Sequence, residues 1–133
     1  MDNDIRWKQR FEYFQRAFVN LDKLKDKRFN DFSELEREGI IQRFEVSIEL
    51  SWKLMKDFLQ NEGYEIKSPK ESIRQAFVYG LISDAEAWIE ALNRRNITSH
   101  TYDESGLNEN VEYILSTFYP LMRDLYHTLK VRL

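Results

Sequence analysis

One polar stretch of the chain holds the residue types best suited to phosphate chemistry. It begins at Arg94-Arg95 and continues through Asn96 to His100 and Tyr102. A guanidinium binds phosphate oxygens through paired N–H donors, and an imidazole exchanges a proton near neutral pH. Together these groups could bind a phosphate and transfer a proton. The structural alternative is that Arg95 and Asn96 cap a helix end while His100 and Tyr102 pack a loop.

Helical spacing restricts how Arg95 and His100 can meet. Asn96 and His100 are four residues apart and would share a helix face, whereas Arg95 would point roughly 140° away from His100 at 3.6 residues per turn. Arg95 and His100 therefore converge only if the helix ends between them, or if a second protomer supplies one of the pair. The other histidine, His127, falls near the end of the last predicted helix, where a cation complements the helix dipole.

The composition excludes several classes of protein. The 133 residues are 42% hydrophobic and 32% charged, with only 4 Gly and 2 Pro, which indicates one folded domain over residues 1–133 rather than a disordered or loop-rich β protein. The absence of Cys removes disulfides, thiolate zinc sites and cysteine nucleophiles. There is no glycine-rich phosphate loop, metalloprotease motif or calcium loop, so we expect neither a cofactor nor a metal.

Charge and hydropathy indicate where the chain acts. No apolar run approaches the roughly 20 residues of a membrane span, and the charged start MDNDIRWKQR is unlike a signal peptide. We therefore expect a cytoplasmic protein with no membrane partner. The formal net charge is −3, so the whole chain lacks the basic footprint of a general nucleic-acid binder. Any contact with RNA or a nucleotide is expected to be local.

Apolar periodicity and capping signals predict five helices with short connections. The first runs from about Asp4 to Lys25 on an apolar stripe of Trp7, Phe11, Phe14, Phe18 and Leu21. Ser33 and Glu36 form a capping box for the second, which reaches about Asn61, before Gly63. Its apolar surface is unusually wide and has two stripes, one of Ile41, Phe44, Ile48, Trp52, Met55 and Leu59, the other of Val46, Leu50, Leu54 and Phe58. Such a helix lies in the centre of a bundle or between subunits.

The remaining three helices are shorter or interrupted. Ser68-Pro69 opens the third, which turns Ile73, Ala76 and Phe77 inward and ends at Gly80. Ser83 and Glu86 form a capping box for the fourth, and residues Thr101 to Gly106 read as a loop. Pro120 should kink the fifth helix, because it has no amide for the carbonyl of Ser116. The predicted fold is an all-α, five-helix up-and-down bundle.

Two segments resemble a known family. Arg95-x4-His100-x-Tyr102 matches the R-x4-H-x-Y signature of HEPN domains, especially those encoded beside a minimal nucleotidyltransferase. The strings RNITSHTYDE, from Arg95, and FEVSIELSWKLMKDFL, from Phe44, look like the branch called nucleotidyltransferase substrate-binding proteins. The resemblance extends over essentially the whole chain. It implies a bundle like the C-terminal domain of kanamycin nucleotidyltransferase, and a homodimer.

In the toxin branch of this family, the resemblance implies a metal-independent ribonuclease whose partner is a minimal nucleotidyltransferase encoded by a neighbouring gene. His100 would be the general acid/base, and Arg95 would bind the phosphate and stabilise its developing charge. Asn96 would orient the reacting group. Tyr102 occupies the position that the partner modifies with AMP, and the added negative charge would repel RNA.

The resemblance also allows a second, non-catalytic function. The bundle would supply the substrate-binding half of a two-chain nucleotidyltransferase, and Arg95 would hold a phosphate or an acceptor without cleaving RNA. Glu45, Glu49 and Lys53, on the second helix, are the candidate acceptor pocket. A solvated face with i,i+4 ion pairs is the simpler interpretation of these three residues. A purely structural dimer is a third reading, which leaves the polar stretch without a task.

Overall fold

All regular secondary structure in the described residues is helical. The computed structural model describes residues 2–98 and 104–133, and the side chains of residues 2–96 and 106–133. The helices are α1 (Asn3–Asp22), α2 (Glu34–Asn61), α3 (Pro69–Tyr79), α4 (Ala85–Thr98), α5 (Glu104–Tyr113) and α6 (Tyr119–Lys130), with a 3₁₀ turn at Phe29–Asp31 and a π-helical turn at Ile114–Phe118. Because α5, the π turn and α6 are continuous, they form the predicted fifth helix. The all-α fold with five helices is confirmed for these ranges.

Two of the three predicted helix N-caps are confirmed by hydrogen bonds. Ser68 caps α3, since its Oγ accepts a hydrogen bond of 3.1 Å from the amide of Glu71. The amide of Glu36 donates to Ser33 Oγ at 3.1 Å and the amide of Ser33 to Glu36 Oε1 at 2.8 Å, which completes the capping box of α2. Gly80 adopts the left-handed conformation at the end of α3, with φ of 100°. The predicted capping box at Ser83 and Glu86 is wrong. Ala87 donates instead to Asp84 Oδ1 at 3.0 Å, and an Asp caps a helix as well as a Ser does.

Three further expectations were wrong in detail. α1 ends at Asp22 rather than Lys25, because the chain tightens into a turn that keeps Leu24 buried. Phe77 does not face inward: its side chain is 49% exposed, next to the fully buried Ala76. Residues 104–106 belong to α5 and not to a loop, whereas residues 101–103 lie outside the described residues.

The helix irregularity at Pro120 takes the form of a π-helical turn. The amide of Tyr119 bonds to the carbonyl of Ile114, five residues back, immediately before the proline. A widened turn of this kind accommodates the backbone hydrogen bond that is lost at Pro120, because proline has no amide N–H. Ile114 and Phe118 are both fully buried, so the widened turn still presents apolar side chains to the core.

Helix α2 is the central element of the bundle. It packs against α1, α3, α4 and α5. This confirms the central position that its wide apolar surface allowed, although Val46, from the second stripe, is 54% exposed. α2 is the longest helix at 28 residues, but in the described ranges no helix combines the length and the apolar character needed to cross a membrane. The surface of α2 around Val46 is left facing outward beside α1 and the end of α4.

Candidate functional site

Arg95 reaches from the last turn of α4 to the surface of α2. Its Nε lies 3.2 Å from Glu49 Oε1, and the side chains are 34% and 31% exposed, respectively. The other carboxylate oxygen of Glu49 lies 3.8 Å from Lys53 Nζ, one turn further along α2. The i,i+4 ion pair expected on α2 is therefore present. Arg95, Glu49 and Lys53 form a row of alternating charges that ties the end of α4 to α2.

Arg94 points to a different side of α4. Its guanidinium lies 4.1 Å from the ring centroid of Tyr113 on α5, and its nitrogens lie 3.4 Å from Glu90 and 4.0 Å from Glu109. Burial raises the pKa of the Tyr113 phenol to about 12, with a further contribution from Glu90 that the Arg94 charge opposes. Arg94 thus packs the seam between α4 and α5.

A groove of about 530 Å³ lies beside Arg95. Its other walls come from α1, through Arg10, Tyr13, Arg16, Ala17 and Asn20, and from α2, through Glu45, Val46, Glu49 and Leu50. Arg10 is fixed by an ion pair from its Nε to Asp57 Oδ2 at 2.9 Å, and Asp57 is only 5% exposed. The Tyr13 ring is 58% exposed and lies 5.5 Å from the Arg16 guanidinium. The groove therefore combines cations, carboxylates and an accessible aromatic ring.

The structure brings part of the predicted site together. Arg95, Glu45 and Glu49 line the same groove, and Lys53 lies just beyond it in contact with Glu49. Asn96 is exposed at the end of α4 and does not line this groove. His100 and Tyr102 lie outside the described residues. The described part of α4 extends to Thr98, so the convergence of Arg95 with His100 stays a prediction.

Sequence reasoning missed the residues of α1 that face Arg95. Their positions carry a signal in retrospect: Arg10, Tyr13, Ala17 and Asn20 recur at spacings of three, four and three, like the residues of the apolar stripe beside them. A polar stripe of this kind is normally a solvated helix face. Only the packing of α1 against α2, with Arg95 arriving from α4, identifies it as the wall of a groove.

Comparisons with known proteins identify the family. A family model described as nucleotidyltransferase substrate binding protein like matches residues 9–131. A probable ribonuclease HepT from Haemophilus influenzae is 42% identical over 71 residues. That alignment covers 50% of this chain and 49% of the relative, so the chain matches about half the length of that curated protein.

Two solved structures share the fold over nearly the whole bundle. A crystal structure of a protein from Thermus thermophilus matches with a TM-score of 0.77 and 32% identity, covering 88% of this chain and 98% of that one. A structure from Haemophilus influenzae, described as revealing the fold of a substrate binding domain of a nucleotidyltransferase, has a TM-score of 0.73 and 29% identity. It covers 90% of this chain and 98% of its own. These matches confirm the resemblance carried by the two sequence segments. The chain belongs to the HepT-like family of nucleotidyltransferase substrate-binding proteins.

Proposed function

We propose that this chain is the ribonuclease component of a cytoplasmic two-gene toxin–antitoxin module, silenced by a minimal nucleotidyltransferase encoded by a neighbouring gene. The observation that best supports this proposal is the position of Arg95. Its guanidinium is held by Glu49 at the edge of an open groove, five residues before His100 in the R-x4-H-x-Y pattern. The similarity to a probable ribonuclease HepT is consistent with this assignment.

Arg95 would bind the scissile phosphate. Its charge is permanent at physiological pH, and its planar donors match phosphate oxygens. The ion pair to Glu49 restricts the side chain before substrate arrives, so less conformational entropy is lost on binding. As negative charge builds up on the phosphate in the transition state, a preorganised guanidinium stabilises it more than it stabilises the ground state.

His100 would transfer the proton. As a general base it removes the proton of the ribose 2′-hydroxyl, whose oxygen then attacks the adjacent phosphorus. The bond from phosphorus to the 5′-oxygen of the next nucleotide breaks, and that oxygen takes a proton from the protonated His100 as it leaves, so that the products are a 2′,3′-cyclic phosphate and a 5′-hydroxyl end. Asn96 would orient the phosphate. Because one regular helix would separate Arg95 and His100 by roughly 140°, we propose that a homodimer brings the two side chains together across its interface.

Tyr102 would carry the off-switch. The partner nucleotidyltransferase would transfer AMP from ATP to the phenol oxygen and release pyrophosphate, which adds phosphate charge within seven residues of Arg95. That charge competes for the guanidinium and repels the RNA backbone. Mass spectrometry after co-expression with the partner tests this step, and an unmodified Tyr102 peptide at full coverage would contradict it.

The central experiment measures cleavage of single-stranded RNA by the purified chain in excess chelator. We expect the wild type to cleave, and we expect His100→Ala and Arg95→Ala each to lower the rate of cleavage by about 10²-fold or more while helicity by circular dichroism is preserved. His127→Ala is the matched control, since His127 is exposed on α6 and is expected to leave cleavage unchanged. The proposal is wrong if the wild type leaves RNA intact and does not slow growth when expressed without its partner.

A second candidate function is a non-catalytic substrate-binding subunit of a two-chain nucleotidyltransferase. It is favoured by the description of the similar Haemophilus influenzae structure and by the carboxylates of Glu45 and Glu49 in the groove, which suit a hydroxyl- or amine-bearing acceptor. Here Arg95 would hold the acceptor or its phosphate, with Lys53 supporting Glu49. This function is supported if RNA stays intact and if nucleotide transfer by the neighbouring enzyme requires this chain.

A further inference from the structure

The groove beside Arg95 continues along the seam between α1 and α2. A second concavity of about 360 Å³ shares Ala17, Asn20 and Val46 with it. A third, of about 340 Å³, adjoins the second at Gly39 and Arg43. The three concavities form one path, called here the α1–α2 groove, from Arg95 to Lys23 and Lys27. From Glu49 to Glu36 on α2 this path is about 20 Å long at 1.5 Å per residue.

The α1–α2 groove is positively charged although the chain has a net charge of −3. Its described lining contains three carboxylates, those of Glu36, Glu45 and Glu49, against six cations, namely Arg10, Arg16, Lys23, Lys27, Arg43 and Arg95. Glu36 is engaged in the capping box, whose hydrogen bonds from Ser33 lower its pKa, Glu49 is paired with Arg95 and Lys53, and Arg10 is paired with the buried Asp57. With these engaged groups set aside, the described lining still has four cations, Arg16, Lys23, Lys27 and Arg43, against the carboxylate of Glu45. The local basic footprint that RNA binding requires is therefore present here, hidden by acidic residues elsewhere.

The floor of the α1–α2 groove suits unpaired bases. Tyr13 presents an exposed ring beside Arg16, and Val46 adds exposed apolar surface next to it. At Gly39, which lines both the second and the third concavity, no atom lies within 4 Å of the position that a Cβ would occupy, so the groove is open there. Cations along the rim with an aromatic ring between them are the arrangement by which proteins bind single-stranded nucleic acid.

We propose that single-stranded RNA runs along the α1–α2 groove to reach Arg95. Arg16, Arg43, Lys23 and Lys27, all exposed, contact successive phosphates, and Tyr13 stacks on a base. The side chain of Arg43 crosses from α2 to α1, where its guanidinium donates a hydrogen bond of 3.0 Å to the carbonyl of Asn20, and this places its charge where the second and third concavities meet. This assignment rests on the proposed ribonuclease function and names the surface that would position its substrate.

The first test measures binding of a fluorescein-labelled 12-nucleotide oligouridylate as a function of salt, using the His100→Ala protein to prevent cleavage. Replacing Lys27 and Arg43 together by Gln should weaken binding about tenfold at low salt. It should also reduce the slope of log K against log salt by about 1.4, since each lost phosphate contact on a single strand contributes about 0.7. The matched control replaces Lys70 and Arg74 by Gln on the exposed face of α3, with no change expected. The swap Lys27→Arg with Arg43→Lys keeps both charges and should keep the slope.

The second test addresses stacking. Tyr13→Ala should weaken oligouridylate binding about tenfold, whereas Tyr13→Phe retains it, because stacking needs the ring and not the hydroxyl. Phe77→Ala, which removes an exposed ring from α3, is the control and should have no effect.

The possible outcomes distinguish RNA binding along the α1–α2 groove from the proposed ribonuclease activity. If the wild type cleaves RNA and the Lys27/Arg43 variant shows the oligouridylate affinity and salt slope of the α3 control, the α1–α2 groove is not the path of the RNA. A wild type that binds the oligonucleotide in this groove without cleaving it contradicts the ribonuclease and leaves the groove as an RNA-binding site. A change in sedimenting mass in the groove variant, with unchanged RNA affinity, would identify the groove as a subunit interface and overturn the proposal.

Discussion

Arg94 and Arg95 are neighbours on one helix, yet they lie in different environments. Arg94 stacks on the buried Tyr113 and contacts Glu90 and Glu109, so its surroundings are those of a packing residue. Arg95 contacts Glu49 and lines the α1–α2 groove. Their side chains are 27% and 34% exposed, so exposure does not distinguish them. They differ in the surface that each side chain faces. Arg94 faces the ring of Tyr113, and Arg95 faces the open α1–α2 groove.

Helix α4 therefore has two roles: one of these arginines packs against α5, and the other faces the groove. Successive residues of an α-helix point about 100° apart, so one position stabilises the contact with α5 while the next reaches toward α2. A change at the first should reduce stability and spare activity. A change at the second should do the reverse.

Replacing each arginine in turn should separate activity from packing. We expect Arg95→Ala to lower kcat for cleavage of single-stranded RNA by about 10²–10³-fold, the usual loss when a group that stabilises developing charge is removed. Arg94→Ala should change kcat by less than about twofold. Initial rates at saturating RNA, under excess chelator, measure both. Equal losses in the two variants would show that neither arginine has a distinct role in cleavage.

Glu49 should behave as a positioning residue for Arg95. Its carboxylate contacts Arg95 Nε at 3.2 Å, so Glu49→Ala removes this contact and should lower kcat about tenfold, with KM little changed. Glu49→Gln keeps an oxygen acceptor and should retain kcat within about threefold. Lys53→Met is the control, since Lys53 contacts the Glu49 oxygen that does not face Arg95, at 3.8 Å. A loss in Glu49→Ala confined to KM would instead make Glu49 part of the substrate pocket.

Structural features that depend on residues close together in sequence could be predicted, whereas those that depend on distant residues could not. The helices follow from local signals, such as the capping box of Ser33 and Glu36, because the partners are three residues apart. The prediction that Ser83 caps the fourth helix was wrong, because the neighbouring Asp84 caps equally well and nothing local decides between the two side chains. At Pro120 the sequence predicted a kink and not the widened turn before it, because the form of the turn depends on which side chains must stay buried.

The candidate site shows the same limit. Arg95 and His100 could be selected because residues of these types at this spacing match a family signature. The contacts of Arg95 with Glu49, and of Arg10 with Asp57, join residues that are 46 and 47 positions apart in sequence, and no periodicity predicts them. The groove wall formed by Arg10, Tyr13 and Arg16 was missed for this reason. The basic character of the groove was missed because the net charge averages over the whole chain.

Stability measurements should give the opposite ranking of the two arginines. Arg94→Ala removes a cation stacked on a ring that is 8% exposed, and we expect it to lower the free energy of unfolding by about 1 kcal/mol. Arg95→Ala removes a partly exposed ion pair and should cost less than about 0.5 kcal/mol. Urea denaturation followed by circular dichroism at 222 nm compares them. A larger loss for Arg95 would mean that its contact with Glu49 mainly holds α4 to α2.

The packing side of α1 offers a smaller, pH-dependent test of the same separation. The hydroxyl of Tyr119 donates a hydrogen bond to Asp22 Oδ1, and the Tyr119 ring stacks on Phe18 at 5.9 Å. That hydrogen bond lowers the pKa of Asp22, while burial, and then the bond to Asp22, raise the pKa of Tyr119 to about 12. Tyr119→Phe keeps the ring and removes the bond, so it should reduce stability at pH 7 by about 1 kcal/mol and leave RNA cleavage unchanged.

The sign of the pH dependence follows from these two shifts. Because the Asp22 pKa is depressed on folding, the stability that its charge contributes is complete above its unfolded value of 3.8 and is lost as the pH falls through the folded pKa. Because the Tyr119 pKa is raised, unfolded chains lose the phenol proton from about pH 10, whereas folded chains retain it to about 12, and stability falls as the pH rises through that interval.

The difference in unfolding free energy between wild type and Tyr119→Phe should therefore be flat from about pH 5 to 9 and shrink on both sides. Tyr126→Phe is the control, since the Tyr126 hydroxyl contacts Gln15 and Lys130 and, among the described residues, no carboxylate, so its difference should stay flat in acid. A difference for Tyr119→Phe that persists unchanged at pH 3 would show that the Asp22 charge contributes nothing to the contact between α6 and α1.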